Sequence, residues 1–304
     1  MAFTVTQPNF NGTDAGFYIS AALKQAKSLE YMTVMENIKY KQNIQKMSGS
    51  GLVLDNNCTY NSAGTLALTE ATLDPKTLQI NLDICKETLL SSWSSLNMAA
   101  GRTSGAPVSF EDYVIAYMGE IIANQTEQDI WSGVTGTPGE FNGFCSYWLL
   151  PGTDGTVVQD AAAGAYTAAN IIASLQGLVD AITGGTANNV LGKEDAYIFM
   201  NNKTWQFYIQ AISALTGTPW MSMNSDYEPA FEGLKIAVVP GMMDNQLVFA
   251  QKSNLFFGTD LLSDSTRISL LDMAPVTGDD TIRMVARYTA GVVAGIGADV
   301  VRQS

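Results

Sequence analysis

The chain contains no histidine among its 304 residues, and this absence excludes several kinds of chemistry. Without histidine there is no Ser-His-Asp or Cys-His nucleophile system and no histidine-ligated metal. The general base that enzymes use most often is also missing. Carboxylate and lysine chemistry remain open. For an enzyme of this size, the absence of histidine is a serious handicap.

Cysteine is also scarce, with three residues at positions 58, 85 and 145. The count is odd and the three positions are far apart. A disulfide framework or a cysteine-type zinc site is therefore not expected. We predict small buried or half-buried side chains at these positions, in a protein that works in a reducing compartment.

Positive charge is the third scarcity. Sixteen Lys and Arg residues face twenty-nine Asp and Glu residues, and the formal net charge is −13. Because the sequence has no run of Lys or Arg, we do not expect a groove that binds nucleic acid. A negative surface repels DNA, which suits a protein that encloses DNA without sequence-specific binding.

Export and membrane signals are not found in the sequence either. The first ten residues, MAFTVTQPNF, have neither the basic region nor the apolar region of a signal peptide. The longest uncharged, mostly apolar run near the end, Tyr288 to Ala298, is far shorter than the ~20 residues that cross a bilayer. We therefore expect no membrane partner.

Hydrophobic residues make up 46% of the chain, which is enough for a sizeable core and suggests roughly two domains. Near the start, Asp14 to Met47 repeats apolar residues with a period near 3.6 and predicts a long helix. Thr77 to Ile84 alternates apolar and polar residues, which predicts a half-buried strand. Its expected partner is Thr65 to Thr72, in a long hairpin that turns at Asp74-Pro-Lys76.

The longest well-bounded helix is predicted for Ser109 to Gly133, SFEDYVIAYMGEIIANQTEQDIWSG. Ser109 can cap its start, and an apolar stripe recurs every three or four residues at Phe110, Val114, Tyr117 and Ile121. The second half, Asn124 to Asp129, is polar all round, so only the first half is expected to pack. We interpret this helix as the spine of one subunit in a large assembly.

After the spine, the pattern predicts a loop at 133–143 anchored by Phe141 and Phe144, and then single helices alternating with strands. The helices are predicted at 167–182 and 203–215. Asn201 or Asn202 is expected to cap the second of them. The strands are predicted at 196–200, 234–239, 246–251, 255–257 and 267–273, with a closing pair of strands within 282–301.

Two glycine-containing stretches could indicate nucleotide binding, and each has a simpler structural interpretation. Gly185 to Lys193 is similar to a phosphate loop, but its glycines are too far apart, and Glu194 stands where Ser or Thr would hold magnesium. A flexible loop is the better interpretation. The glycines at 291, 295 and 297 are not followed by a helix-forming segment. Close packing of strands explains them better than a dinucleotide turn.

One acidic pair, Asp279-Asp280, could act in catalysis or bind a metal. It follows Thr277-Gly278 and comes just before a predicted strand, so a solvated turn is the favoured interpretation. We find no catalytic constellation, and we predict no catalytic residue, no cofactor and no metal site.

Several motifs follow one another along the chain. They are a hairpin with an Asp-Pro turn, a capped helix running into ANQTEQDIWSG and Phe141-Asn-Gly-Phe144, then AYIFMNN at 196–202, FEGLKIAVVP at 231–240, Val248 to Asp260, and Arg283 to Val301. In this order they resemble one family, the tailed-bacteriophage major capsid proteins of the Hong Kong ninety-seven fold. The likeness covers roughly residues 60–304 and depends on order and spacing more than on any single motif.

The resemblance implies an α+β Hong Kong ninety-seven-type capsid fold in five parts. These are an N-terminal arm and helix (1–59), an extended β-hairpin loop (60–86), a peripheral domain with the spine helix (87–139), an axial domain (140–260) and strands that return to the peripheral domain (261–304). It also implies hexamers and pentamers that tile an icosahedral shell around packaged double-stranded DNA. The protein would then be part of the virion, assembled in the host cytoplasm, with portal, scaffold or decoration proteins as further partners.

The resemblance assigns assembly to the predicted hairpin and the spine helix. In the namesake phage, a lysine on the hairpin arm cross-links to an asparagine of another subunit. Lys76 lies at the predicted turn, but no matching Asn and Glu can be placed, so a solvated lysine is favoured. The predicted assembly residues of the hairpin are Leu66, Leu68, Asp74, Pro75, Lys76, Leu78 and Ile80.

Three other functions remain open. An encapsulin-type nanocompartment shell would share the fold but enclose a cargo protein. A carboxylate-dependent hydrolase would use Asp279 and Asp280. A phage tail or adaptor protein would form rings or tubes and not closed shells.

Overall fold

The structure is a computed structural model. It describes residues 27–51, 53, 55, 58, 64–85, 121–149, 157–160, 164–216, 230–260 and 268–304. Within these residues, two sheets and a separate two-stranded ribbon account for all the strand pairing. Helices pack on the sheets, so the architecture is α+β, as the sequence predicts.

The first sheet is built around β12, a strand of fourteen residues from Thr281 to Ala294. On one side, β12 pairs antiparallel with β4 (Lys76–Cys85). On the other side it pairs antiparallel with β11 (Ile268–Asp272) and, further along, with β10 (Leu255–Thr259). The short strand β1 (Thr33–Met35) runs parallel to β10 at the edge.

The predicted alternation of β4 is confirmed. Leu78 and Ile84 are buried, whereas Thr77, Gln79 and Asp83 on the other face are exposed. The neighbouring strand β12 follows the same pattern, with Ile282, Met284 and Tyr288 buried. This sheet therefore has one face in the core and one polar face, as is common for antiparallel sheets.

The second sheet has six strands in the order β5-β13-β9-β6-β8-β7. Its strands are β5 (Val158–Asp160), β6 (Ala196–Met200), β7 (Ala230–Phe231), β8 (Leu234–Val238), β9 (Leu247–Gln251) and β13 (Val301–Gln303). Alternate residues of β6 enter two different cores, Ile198 and Met200 on one side and Phe199 on the other. This sheet is covered on both faces, which explains its almost continuous apolar strands.

The predicted helices of this part are confirmed. The helix α3 (Ile171–Gly184) buries the predicted stripe of Ile171, Leu175, Leu178 and Ile182 completely. The helix α4 (Asn202–Thr216) begins where Asn201 accepts a hydrogen bond on Oδ1 from the Thr204 backbone N–H, at 2.7 Å. The segment after α3, predicted as a loop, contains a 3-10 helix at Thr186–Val190.

The core between the two sheets is filled by the end of the spine helix and the residues that follow it. The described part of this helix, α1, spans 121–132 and ends where predicted, before Gly133. The loop anchors Phe141 and Phe144 are buried as predicted, and Phe144 begins a short helix, α2 (Phe144–Leu149), that the sequence did not predict. Trp131 packs between Phe144 and Phe199, with ring centroids 5.6 and 5.1 Å away.

Several predictions lie outside the described residues. These include the spine residues Phe110, Val114 and Tyr117 and the start of the predicted N-terminal helix. They also include residues 87–98 and 99–107, where the sequence pattern indicates a short helix and a Gly/Ser linker. Ile121, the last residue of the predicted stripe, is described and is half-buried.

The prediction of a helix continuing to Met47 is wrong. Residues Lys27–Tyr31 form a short 3-10 helix, β1 follows, and Gln42–Ser50 is a strand of nine residues, β2. Ile38, taken from its sequence spacing as part of a helical stripe, packs between the strands against Leu73 and Val293. Pairing with distant strands overrides the local periodicity, which is a weak signal where charges and β-branched residues are mixed.

The predicted hairpin pairing is also wrong. The strand β3 (Thr65–Leu73) pairs with β2, whereas β4 pairs with β12. Asp74 and Pro75 therefore redirect the chain from the ribbon into the first sheet and do not close a hairpin. The predicted closing pair is likewise divided, because β12 belongs to the first sheet and β13 to the second.

Candidate assembly surfaces

A two-stranded ribbon exposes most of the side chains that the structure describes on its two strands. Its strands β2 and β3 pair antiparallel over nine residues each, from Gln42 opposite Leu73 to Ser50 opposite Thr65. At ~3.4 Å per residue the ribbon is about 30 Å long. Within the described residues no further strand pairs with it, so both of its edges are free.

One face of the ribbon carries large apolar side chains. Met47 and Leu68 lie directly opposite each other, and Leu66 is two residues from Leu68 on the same face. Their exposed fractions are 68%, 60% and 64%. A cluster of three such residues on a narrow ribbon is an apolar patch that a partner surface would bury. We call these three residues the ribbon patch.

The opposite end of the ribbon, its root, is fixed to the first sheet. Leu73 is fully buried against Ile38 and Val293. Pro75 packs against Gly291, where a Cβ would lie only 2.9 Å from the Pro75 Cα. This confirms the prediction of close strand packing at Gly291. A surface ion pair between Lys41 and Asp74, at 2.8 Å, adds little because both side chains are solvated.

Lys76 is not the solvated turn lysine that was predicted. Its ammonium donates hydrogen bonds to the backbone carbonyls of Thr135, Thr137 and Glu140, at 3.0, 3.5 and 2.7 Å. These carbonyls belong to the loop after α1. Because Lys76 directly follows the ribbon root, it ties the ribbon to the end of the spine helix.

The polar half of the spine helix, 124–129, is buried or half-buried, contrary to prediction. Glu127 accepts hydrogen bonds from the Ser28 N–H, the Ser28 hydroxyl and the Gly241 N–H, at 3.0, 2.7 and 3.3 Å. Trp131 donates from its indole N–H to the same Ser28 hydroxyl at 2.7 Å. This network joins the N-terminal segment, α1 and the turn after β8. Sequence analysis missed it because its donors come from residues about 100 positions away.

Asp129 is a second buried carboxyl group on this helix and is only 2% exposed. Its Oδ1 accepts a hydrogen bond from Gln125 at 2.8 Å, whereas its Oδ2 has no partner. Burial raises the pKa of Asp129 to about 7, against the lowering effect of the Gln125 hydrogen bond. Glu140 raises the pKa of Asp129 further, and Lys76 lowers it. Burial, followed by the charge of Asp129, raises the pKa of Tyr288 to about 12.

The raised pKa of Asp129 predicts a specific pH dependence of stability. The folded subunit binds this proton more tightly than the unfolded chain, so its free energy of unfolding should fall as pH rises from about 4 to 7. We expect Asp129→Asn to remove about 2–4 kcal/mol of that fall. Urea unfolding of unassembled subunits at pH 4.5 and pH 8 measures it. Equal pH dependence in the two proteins would contradict the prediction.

The predicted hairpin residues do not form one surface. Leu66 and Leu68 lie on the exposed ribbon patch, and Asp74, Pro75 and Lys76 lie at the root. Leu78 is buried and Ile80 half-buried in the first sheet, where they pack against the main core. Met47, which the sequence placed in a helix, completes the patch. The position of Met47 opposite Leu68 can be inferred only once β2 is known to be a strand paired with β3.

The described residues that were considered for catalysis or metal binding do not form a common site. Asp279 and Asp280 lie in an exposed turn, where Asp279 accepts a hydrogen bond from the Thr277 hydroxyl at 2.9 Å. Among the described residues, no three metal-ligating side chains cluster. Cys145 is buried as predicted, but Cys58 and Cys85 are exposed, and all three cysteines are free. No helix in the described ranges is long and apolar enough to cross a membrane.

Comparison with known proteins gives likeness in structure and not in sequence. No protein-family model matches the chain, and a search of curated proteins finds no match. The capsid of an empty GTA particle matches with a TM-score of 0.62 at 16% identity, over 94% of this chain and 92% of that chain. Gordonia phage Cozz matches with a TM-score of 0.59 at 11% identity, over 95% and 89%.

A third solved structure, the virus-like particle from Pyrococcus furiosus, matches with a TM-score of 0.50 at 10% identity, over 91% of each chain. At identities this low, the likeness establishes the fold. It extends over nearly the full length of this chain and of the chains that it matches.

Proposed function

We propose that this chain, which has the Hong Kong ninety-seven-type capsid fold, is a structural major capsid protein of a tailed bacteriophage. The observation that supports this most directly is the full-length likeness to capsid chains of assembled particles. In this proposal the protein is not an enzyme. It self-assembles as hexamers and pentamers into an icosahedral shell that encloses double-stranded DNA and forms part of the virion.

We assign the first sheet and α1 to a peripheral domain, and the second sheet with α3 and α4 to an axial domain. Two strands cross the boundaries expected from the sequence. The strand β10 lies within 140–260 but pairs in the first sheet, and β13 lies within 261–304 but pairs in the second. We replace the hairpin loop expected at 60–86 with the ribbon formed by β2 and β3.

In the proposed shell, the ribbon is the arm that reaches a neighbouring subunit. An isolated two-stranded ribbon is only marginally stable in water, so one that extends about 30 Å needs a surface to lie on. The ribbon patch supplies apolar area for that contact, and the two free edges supply backbone hydrogen-bonding groups. Burial on a second copy of the chain satisfies both requirements.

The root determines the direction in which the ribbon leaves the subunit. Leu73 and Pro75 pack on the first sheet, and Lys76 binds three loop carbonyls. Because these contacts hold the root, the orientation of the ribbon is fixed before assembly. Pre-organisation of this kind lowers the entropy cost of each contact between subunits.

The acidic composition fits the proposed contents of the shell. With a net charge of −13, the subunit has little attraction for DNA phosphates, and DNA would be enclosed without sequence-specific binding. Portal, scaffold or decoration proteins are further partners in this proposal, and the host cytoplasm is the site of assembly.

Electron microscopy of the expressed protein, with analysis of particle contents, tests the proposed function. We expect closed icosahedral shells, and DNA inside particles isolated from phage-producing cells. Closed shells filled with a single cargo protein would favour the encapsulin-type compartment instead. Rings, tubes or a compact monomer at high concentration would contradict a shell-forming function altogether.

A further inference from the structure

A buried arginine near the end of the chain has no charged partner among the residues that the structure describes. Arg302, on β13, is 1% exposed, and its Nε and Nη1 atoms have no hydrogen-bond acceptor. The ion pairs of the described residues do not include it. Together Nε and Nη1 carry three N–H donors. An uncompensated buried charge is costly, so something must normally neutralise it.

The surroundings of Arg302 are mainly apolar. It lies opposite Val248 on β9, on the face of the second sheet that contributes Val248 to the core between the sheets. The Cys145 thiol of α2 is close enough to hydrogen-bond with the guanidinium. Burial nevertheless raises the pKa of that thiol to about 12, so Cys145 remains protonated and supplies no counter-charge.

A second unpartnered group lies on the same face. Gln246 directly precedes β9, two residues before Val248, and the alternation of an extended chain places it on the side of Val248 and Arg302. Gln246 is buried, and its Oε1 has no hydrogen-bond donor. One N–H of its amide nitrogen donates to the Met243 sulfur at 3.5 Å.

We propose that Arg302 and Gln246 bind a small oxyanion of the hydrogen-phosphate class between the second sheet and α2. Its anionic oxygens accept hydrogen bonds from the Nε and Nη1 donors of Arg302, and its hydroxyl donates to the Gln246 Oε1. Water alone satisfies the hydrogen bonds but leaves the charge. A carboxylate or sulfate satisfies the charge but has no proton for Gln246 at neutral pH. The site is independent of the proposed shell function.

Thermal unfolding of unassembled full-length subunits at constant ionic strength tests the site, with added phosphate, sulfate or chloride. Phosphate should raise the unfolding temperature saturably by about 5 °C, sulfate by less, and chloride not at all. Arg302→Met should show no response to phosphate. Without phosphate it should be at least as stable as the original protein, because an apolar side chain of similar volume replaces an uncompensated charge.

Two further variants keep the test decisive. Arg283→Met is the matched control, because Arg283 is exposed and paired with Asp83 at 2.8 Å, and it should keep the full response. Gln246→Leu should remove the difference between phosphate and sulfate, even if Arg302→Met does not fold. The absence of a saturable phosphate response in the original protein would overturn the proposal, as would an unchanged response in Arg302→Met.

Discussion

Replacing Met47, Leu66 and Leu68 together by serine is expected to give subunits that fold normally but do not assemble. All three side chains are about two-thirds exposed in the subunit, so their loss removes little folding energy. If a neighbouring copy buries them, each contributes ~1 kcal/mol to the contact. The triple variant then loses about 3 kcal/mol per contact, which is roughly a 100-fold change in its equilibrium constant.

Light scattering measured as a function of subunit concentration tests this effect. Urea unfolding of the unassembled subunits checks that the variant is folded. Gln45→Ser is the matched control, since Gln45 is an exposed residue on the same strand and the same face but contributes no large apolar side chain. The control should assemble like the original protein. Shells formed by the triple variant at the usual concentration would show that the ribbon patch has no part in assembly.

The second large effect is expected for Glu127→Ala, at the junction of three segments. The carboxylate of Glu127 is fully buried and accepts bonds from two backbone N–H groups and one hydroxyl. Its removal leaves the Ser28 and Gly241 N–H groups buried without an acceptor. We expect the free energy of unfolding to fall by about 2–4 kcal/mol.

The same variant should loosen the N-terminal segment locally, because Glu127 and Trp131 both hold Ser28. Hydrogen exchange should therefore become faster in residues 27–35 before the rest of the subunit unfolds. Glu30→Ala, which changes an exposed carboxylate in the same segment, should alter stability by less than about 0.5 kcal/mol. If both variants unfold at the same urea concentration, the network contributes nothing.

The spacing of apolar residues was sufficient to predict a helix or strand where that segment buries one regular face. The stripe from Ile171 to Ile182 and the alternation of β4 were both predicted from spacing, and both face a core. A cap by Asn201 or Asn202 follows from chemistry within three residues, and Asn201 provides it. In these cases the helix or strand, its burial and its boundary are all set by neighbours in sequence.

The spacing of apolar residues gave wrong predictions where residues far away in the sequence determine the pairing or the burial of a segment. Residue spacing alone predicts a helix at β2, because its partner β3 begins 15 residues after β2 ends and local spacing favours the wrong period. The local pattern predicts no packing around Glu127, because nothing near it in sequence reveals its hydrogen-bond donors Ser28 and Gly241. The local pattern likewise predicts a solvated turn residue at Lys76, because its three acceptors lie about sixty residues away.

The sequence by itself determined the fold class, the absence of histidine chemistry, the acidic surface and the order of strands and helices from about residue 167 onward. These properties depend on composition and on contacts within a few residues. Only the tertiary structure decided which strands form the ribbon, which face of it is apolar, and which polar side chains are buried. Those features depend on pairing and burial between segments far apart in the chain, where the free energy belongs to the contact and not to either segment alone.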